Sequence, residues 1–265
     1  MSRIIVTTSG KGGVGKTTVT ANLGMALARL GRQVALVDAD FGLRNLDLLL
    51  GLENRVVYTA LEVFSGECRL EQALVRDKRE SGLVLLPAAQ NRTKEAVNPD
   101  QMKQLIGDLT KTYDYILIDS PAGIEMGFKN ATAAAEEALI VTTPEIAAVR
   151  DADRVVGLLE AQGLKRIQLI VNRLRPAMVQ VNDMMSVDDV QELLSIPLVG
   201  VVPEDERVIV STNRGEPLVL AENPSMAGIA FDNIARRLEG ETVKFLDLDA
   251  AHNSIFSRIR DWLFG

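Results

Sequence analysis

Short apolar runs alternate with longer stretches in which apolar residues recur every three or four positions, and that rhythm persists along most of the chain. Arg3–Thr8, Gln33–Val37, Leu83–Leu86, Tyr115–Ile118, Ala138–Thr142, Ile167–Val171 and Leu198–Val202 read as strands. Several are apolar without alternation, as parallel strands covered on both faces are. Thr18–Leu30, Asp100–Thr112, Ala147–Ala161, Val187–Leu194 and Ser225–Leu238 carry helical periodicity. The pattern predicts an α/β fold: a doubly wound, mostly parallel sheet with helices on both faces, in one domain over residues 1–238. Ligands are expected at the carboxyl ends of its strands.

After Leu238 the pattern changes. Residues 239–253 are polar and acidic, and they predict a poorly ordered tether. Residues 254–265 are different again. Ile255, Phe256, Ile259, Trp262 and Leu263 fall within an arc of ~120° on a helix, with Arg258 and Arg260 on its shoulders; Phe264 is assigned to the membrane with them. Such a face fits an amphipathic helix lying in a membrane interface; a helix docked on the protein's own core would present the same face. The polar segment ahead of it tilts the reading toward an anionic lipid surface. Ordering twelve residues costs on the order of 12–24 kcal/mol, and five buried apolar side chains return at most ~8–15 kcal/mol. One tail is therefore expected to bind marginally, and two tails on a dimer far better.

Bulk properties narrow the function classes. No apolar run approaches the ~18 residues of a spanning helix. The first strand starts at Arg3, so no leader is expected and the compartment is expected to be the cytoplasm. One cysteine, Cys68, cannot form an internal disulfide or supply a thiolate cluster. A formal net charge of −7 argues against a protein built to hold nucleic acid, and no nucleic-acid partner is expected.

The chemistry begins between the first strand and helix, where Gly10-Lys11-Gly12-Gly13-Val14-Gly15-Lys16-Thr17-Thr18 fits the P-loop pattern in its proper context. The glycines let backbone N–H groups turn toward phosphate oxygens, and the helix N-terminus adds partial positive charge. Lys16 is placed to reach the β- and γ-phosphates and Thr17 to bind Mg²⁺. Asp38 and Asp119 each end an apolar strand, where a carboxylate helps hold that ion. Asp40, in the loop Asp38-Ala39-Asp40, is assigned to orienting the attacking water, because no glutamine or histidine stands in a comparable loop. Gly123, in Asp119-Ser120-Pro121-Ala122-Gly123, offers an unobstructed backbone N–H to a γ-phosphate. Asn172, after the Ile167–Val171 strand, has an amide that can pair with adenine N6 and N7. An aspartate suited to guanine is absent at Arg175.

The run KGGVGKTT, with its extra lysine, resembles the deviant Walker A signature of the MinD/ParA ATPase family. That resemblance implies that Lys11 crosses a dimer interface to a partner's phosphates, so that the active unit is an ATP-dependent homodimer. It implies ATP over GTP. It makes Asp40 and Gly123 parts of two switch loops, and Pro203-Glu204-Asp205 the second wall of the base pocket, through Pro203 and Asp205. Together with the carboxylate loops, the terminal helix and Phe41-Gly42-Leu43-Arg44-Asn45-Leu46-Asp47, the chain is similar to the septum-site-determining members. For these the implied role is an ATPase on the cytoplasmic face of the inner membrane that recruits the division inhibitor MinC and is displaced when MinE stimulates hydrolysis. The resemblance further implies a partner face at Arg44, Asn45, Arg150, Asp151 and Asp153. A ParA-type partition ATPase and a FlhG-type flagellar-number ATPase are the alternatives. The first is disfavoured by the acidic balance, the second because no activating segment precedes the P-loop.

Overall fold

The computed structural model describes residues 2–41, 43–89 and 97–248. Among them eight strands form one sheet: β1 (Arg3–Thr8), β2 (Val34–Asp38), β3 (Val75–Arg76), β4 (Leu83–Leu86), β5 (Tyr115–Asp119), β6 (Glu137–Thr142), β7 (Arg166–Leu174) and β8 (Leu198–Pro203). Their order is β3-β4-β2-β5-β1-β6-β7-β8. Every neighbouring pair is parallel except β3 with β4. The doubly wound reading of the sequence is therefore borne out.

The continuous apolar strands are explained by two cores, one on each face. On β1, β2 and β5, residues Ile4, Val6, Ala35, Val37, Ile116 and Ile118 face one core, and Ile5, Val34, Leu36, Tyr115 and Leu117 face the other. The first core is closed by α5 (Pro99–Leu109), α7 (Ile146–Ala161) and α9 (Val187–Leu194), the second by α1 (Lys16–Arg29) and α11 (Met226–Leu238). Local chemistry starts these helices where the sheet needs them. Asn98 with Gln101 and Ser186 with Asp189 form capping boxes, and Pro99 occupies the first turn of α5.

Several elements were not predicted. The pieces α2 (Leu46–Leu49), α3 (Ala60–Phe64), α4 (Leu70–Ala73), α6 (Met126–Thr132) and α8 (Pro176–Gln180) are too short to show a period. Helix α10 (Arg207–Arg214) hides behind Val208-Ile209-Val210, a β-branched run, and buries no residue fully.

The expected tether is described as far as Leu248, and to that point it is held to the body. Arg237 donates to the carbonyls of Val243 (3.0 Å), Lys244 (2.9 Å) and Val199 (3.1 Å), and its guanidinium lies 4.1 Å from the Phe245 ring centre. Leu246 packs on one core and Leu248 on the other. Arg32 pairs with Glu239 and Arg236 with Glu241, so a polar composition is docked by three arginines and three scattered apolar side chains. The remainder of the tether and the whole terminal helix lie outside the described residues, and no described helix is long and apolar enough to cross a membrane.

Close approach of α1 to β2 depends on Gly24, where an added Cβ would stand 2.5 Å from a Leu36 methyl. Gly24→Val is expected to lower stability by about 1–3 kcal/mol in urea unfolding. Gly107→Ala on α5, where an added Cβ meets nothing within 4 Å, is expected to raise it by up to ~1 kcal/mol.

Candidate functional site

Parallel strands bring β1, β2, β5, β7 and β8 to the same edge with their carboxyl ends together, and the loops leaving that edge build the site. The P-loop turns from β1 into α1 through Gly13 (φ 81°) and Gly15 (φ 92°), conformations that favour glycine. Ser9, Lys11–Thr18, Asn45, Leu48, Leu49, Ala122 and Thr212 line a cavity of about 360 Å³ over the α1 N-terminus. Gly10 stands behind it: a Cβ there would lie 2.2 Å from the Asp151 backbone, so the first turns of α7 press directly on the loop.

Beneath the cradle lies a buried charge cluster. Asp38 and Asp119 are register partners on adjacent strands, each 1% exposed. The Lys16 ammonium is 3.5 Å from Asp119 Oδ1 and is itself buried. Thr20, which the sequence reading missed, donates to the same oxygen at 3.2 Å, and the Thr17 hydroxyl acts to lower this carboxyl. Asp38 accepts from the backbone N–H groups of Asp40 (3.0 Å) and Leu46 (3.3 Å). Burial, reinforced by the charge of Asp119, still pushes Asp38 up to about 7. Burial also raises Asp119, against the pull of Lys16 and the two threonine hydroxyls. The ammonium meets Asp119 alone, so Asp38 is left with backbone donors and no cation. With Thr17, the two carboxylates form a hard oxygen donor set suited to Mg²⁺.

The other predicted residues fall around this cluster. Asp40 is partly exposed two residues beyond Asp38. The Gly123 N–H, assigned to a γ-phosphate, here donates to Ser9 O at 3.1 Å, so it must be released before it can serve a ligand. The Lys11 ammonium is 3.4 Å from Glu145, just ahead of α7; the Glu145–Arg154 helix start was expected on the partner face, and the pairing with Lys11 was not.

Next to the cradle a cleft of about 760 Å³ is lined by Asn172, Pro203 and Asp205, together with Thr18, Arg173, Arg175, Glu204 and Ile209. Asn172 is buried, and its Nδ2 donates to Val14 O at 2.7 Å. That bond uses one of two amide protons. The other proton and the carbonyl oxygen remain for a base, while the first ties the cleft to the P-loop.

The implied partner face is less uniform than its surface reading suggested. Arg44 is largely buried and bonds Asp47, 1% exposed, through Nε at 2.6 Å. Asn45 lines the phosphate cradle. Arg150 and Asp153 are exposed on α7, and Asp151 is the residue whose backbone meets Gly10. The membrane residues Ile255, Phe256, Arg258, Ile259, Arg260, Trp262, Leu263 and Phe264 lie outside the described residues.

Because its carboxyl is raised from 3.8 to about 7, Asp38 favours the fold below pH ~4, and that contribution is lost as the pH rises through ~7. In magnesium- and nucleotide-free protein, Asp38→Asn is expected to pull ahead of the parent in stability across that window, by up to ~4 kcal/mol. Urea unfolding at a series of pH values measures the gap.

Comparison with known proteins gives a consistent picture. A family model described as ParA, NUBPL iron-transfer P-loop NTPase, matches residues 1–239. A putative septum site-determining protein MinD from Guillardia theta is 68% identical over 265 residues, covering all of this chain and 98% of that one. The MinC:MinD cell division protein complex of Aquifex aeolicus contains a similar fold, with TM-score 0.86 and 48% identity over 92% of this chain and 98% of that chain. The septum site-determining protein MinD of Pyrococcus horikoshii, complexed with Mg-ADP, gives TM-score 0.82 and 35% identity over 90% and 96%.

Proposed function

From the premise that the chain belongs to the septum-site-determining MinD family of P-loop ATPases, we infer that it is an ATP-gated switch that places the division septum. The observation that carries this reading is the buried Lys16–Asp119–Asp38 cluster under a phosphate cradle whose extra lysine rests on Glu145. ATP is the substrate and Mg²⁺ the cofactor, as the Mg-ADP complex of the Pyrococcus horikoshii relative supports.

Each residue has a physical task. The P-loop amides and Lys16 bind the β- and γ-phosphates. Thr17, Asp38 and Asp119 hold the metal, which neutralises phosphate charge when bound. Asp40 orients water for attack on the terminal phosphorus, and the bond to the ADP oxygen breaks. Gly123 leaves Ser9 to donate to the γ-phosphate. Asn172, Pro203 and Asp205 hold the adenine.

Lys11 makes the switch bimolecular. Its pair with Glu145 is about half exposed on each side, and such pairs contribute at most ~1 kcal/mol. The lysine can therefore leave for a partner's phosphates at small cost. Departure frees Glu145 at the start of α7, whose next turn presses on Gly10. Nucleotide state is thereby transmitted to a surface carrying Arg150, Asp151 and Asp153, with Arg44 and Asn45 on the other side of the cradle. This surface is assigned to MinC, which accompanies MinD in the Aquifex aeolicus complex, and to the MinE that stimulates hydrolysis. The ATPase body spans residues 1–238. The tail 254–265, through the apolar face its sequence predicts, holds the dimer on anionic lipid of the cytoplasmic face of the inner membrane. Iron transfer is not supported, because Cys68 stands alone.

Asp40→Ala is expected to slow ATP turnover at least ~100-fold while leaving the dimer formed with Mg²⁺ and ATP intact. Lys11→Ala is expected to bind ATP as a monomer. Phosphate release and light scattering after gel filtration check both. Unchanged turnover in the first variant would remove Asp40 from its role, and a normal dimer in the second would remove Lys11.

A further inference from the structure

β7 does not run regularly into the base cleft. Its register with β8 breaks between Val171 and Leu174, and Arg173, inside the break, has φ 60°. A non-glycine residue in the left-handed region is strained and needs outside support. The consequence is useful: the Leu174 side chain returns to the core that holds Val171, while Asn172, Arg173 and Arg175 are left at the cleft.

The support comes from one residue of the neighbouring strand end. The Glu204 backbone N–H donates to Leu174 O at 2.9 Å. Its carboxylate takes Arg173 on Oε1 at 3.0 Å and the Arg175 Nε on Oε2. Glu204 thus closes the bulge from both sides, through backbone and side chain. The residue just before the strained position is Asn172, which is buried and tied to Val14 of the P-loop.

We propose that Glu204 is a positioning residue for nucleotide selection: it clasps the β7 bulge through Arg173 and Arg175, and so aims the Asn172 amide at the base. The inference rests on the ATP-binding reading above and adds to it the residue that sets base choice. The free N–H and carbonyl of Asn172 complement adenine, which offers N7 as acceptor and N6 as donor. Guanine places an acceptor, O6, where that carbonyl points, and is repelled only while the amide is held. If the clasp opens, Arg173 relaxes to an extended conformation and the selective geometry goes with it.

The test compares dissociation constants for ATP and GTP, with Mg²⁺, across the full-length parent, Glu204→Ala, and Glu204→Ala combined with Arg173→Gly. The parent is expected to prefer ATP. Glu204→Ala is expected to lose about tenfold of that preference, through weaker ATP binding with GTP little changed. Glycine adopts the positive φ at no steric cost, so adding Arg173→Gly is expected to restore the preference to within about threefold of the parent. A purely structural role for Glu204 would weaken both nucleotides equally and gain nothing from glycine. An unchanged ratio in Glu204→Ala, equal weakening, or absence of rescue each overturns the clasp. A parent indifferent between ATP and GTP overturns the ATP reading and the clasp with it; a selective parent with an unchanged variant overturns the clasp alone. Should Glu204→Ala not fold, a folded, ATP-selective double variant supports the clasp and an unfolded one overturns it.

Discussion

Two carboxylates buried side by side with one ammonium between them and the P-loop set the terms for the rest of the molecule. Asp38 and Asp119 end neighbouring parallel strands in register, so the sheet itself forces them together. Nothing in the surrounding core can neutralise both: Lys16 meets Asp119, while Asp38 has only backbone donors and is pushed up to about 7. A divalent cation brought in with a nucleotide supplies the positive charge these carboxylates lack, while the P-loop amides and Lys16 face the phosphates. The binding site is thus a deficit built into the sheet order, and the P-loop glycines hold the cradle open above it.

Mechanical coupling follows from how little space surrounds that cradle. α7 lies against Gly10, Glu145 holds Lys11, the Gly123 amide is engaged by Ser9, and Asn172 is tied to Val14. Three different segments therefore touch the P-loop region through contacts that a bound nucleotide would alter. The Lys11–Glu145 pair is weak enough to exchange, whereas the Lys16–Asp119 pair is buried and stays. This difference in burial separates the lysine that holds phosphate from the lysine that reports on it.

Much of this was legible in the sequence, for physical reasons that differ by element. Unalternating runs such as Leu117 with its neighbours announce strands covered on both faces, and their order of occurrence with helices fixes the class. The P-loop and the two strand-end aspartates are contiguous patterns, so their chemistry can be read without a fold. What escaped depends on residues distant in sequence. Lys11 and Glu145 are 134 positions apart, and Asn172 and Val14 158. No local period signals Glu204 as the support of Arg173, because the strain at Arg173 exists only once β7 and β8 are paired. Arg44 read as surface for the same reason: its buried partner Asp47 is three residues away, yet the burial of that pair is tertiary.

The account stands on nucleotide state being converted into surface behaviour, and vesicle co-sedimentation measures that conversion directly. The full chain is mixed with anionic phospholipid vesicles and Mg²⁺, with either a non-hydrolysable ATP analogue or ADP, beside a chain lacking residues 254–265. Pelleting is expected with the ATP analogue alone, and truncation is expected to abolish it. Equal recovery in the supernatant with both nucleotides, or pelleting that survives truncation, would contradict it.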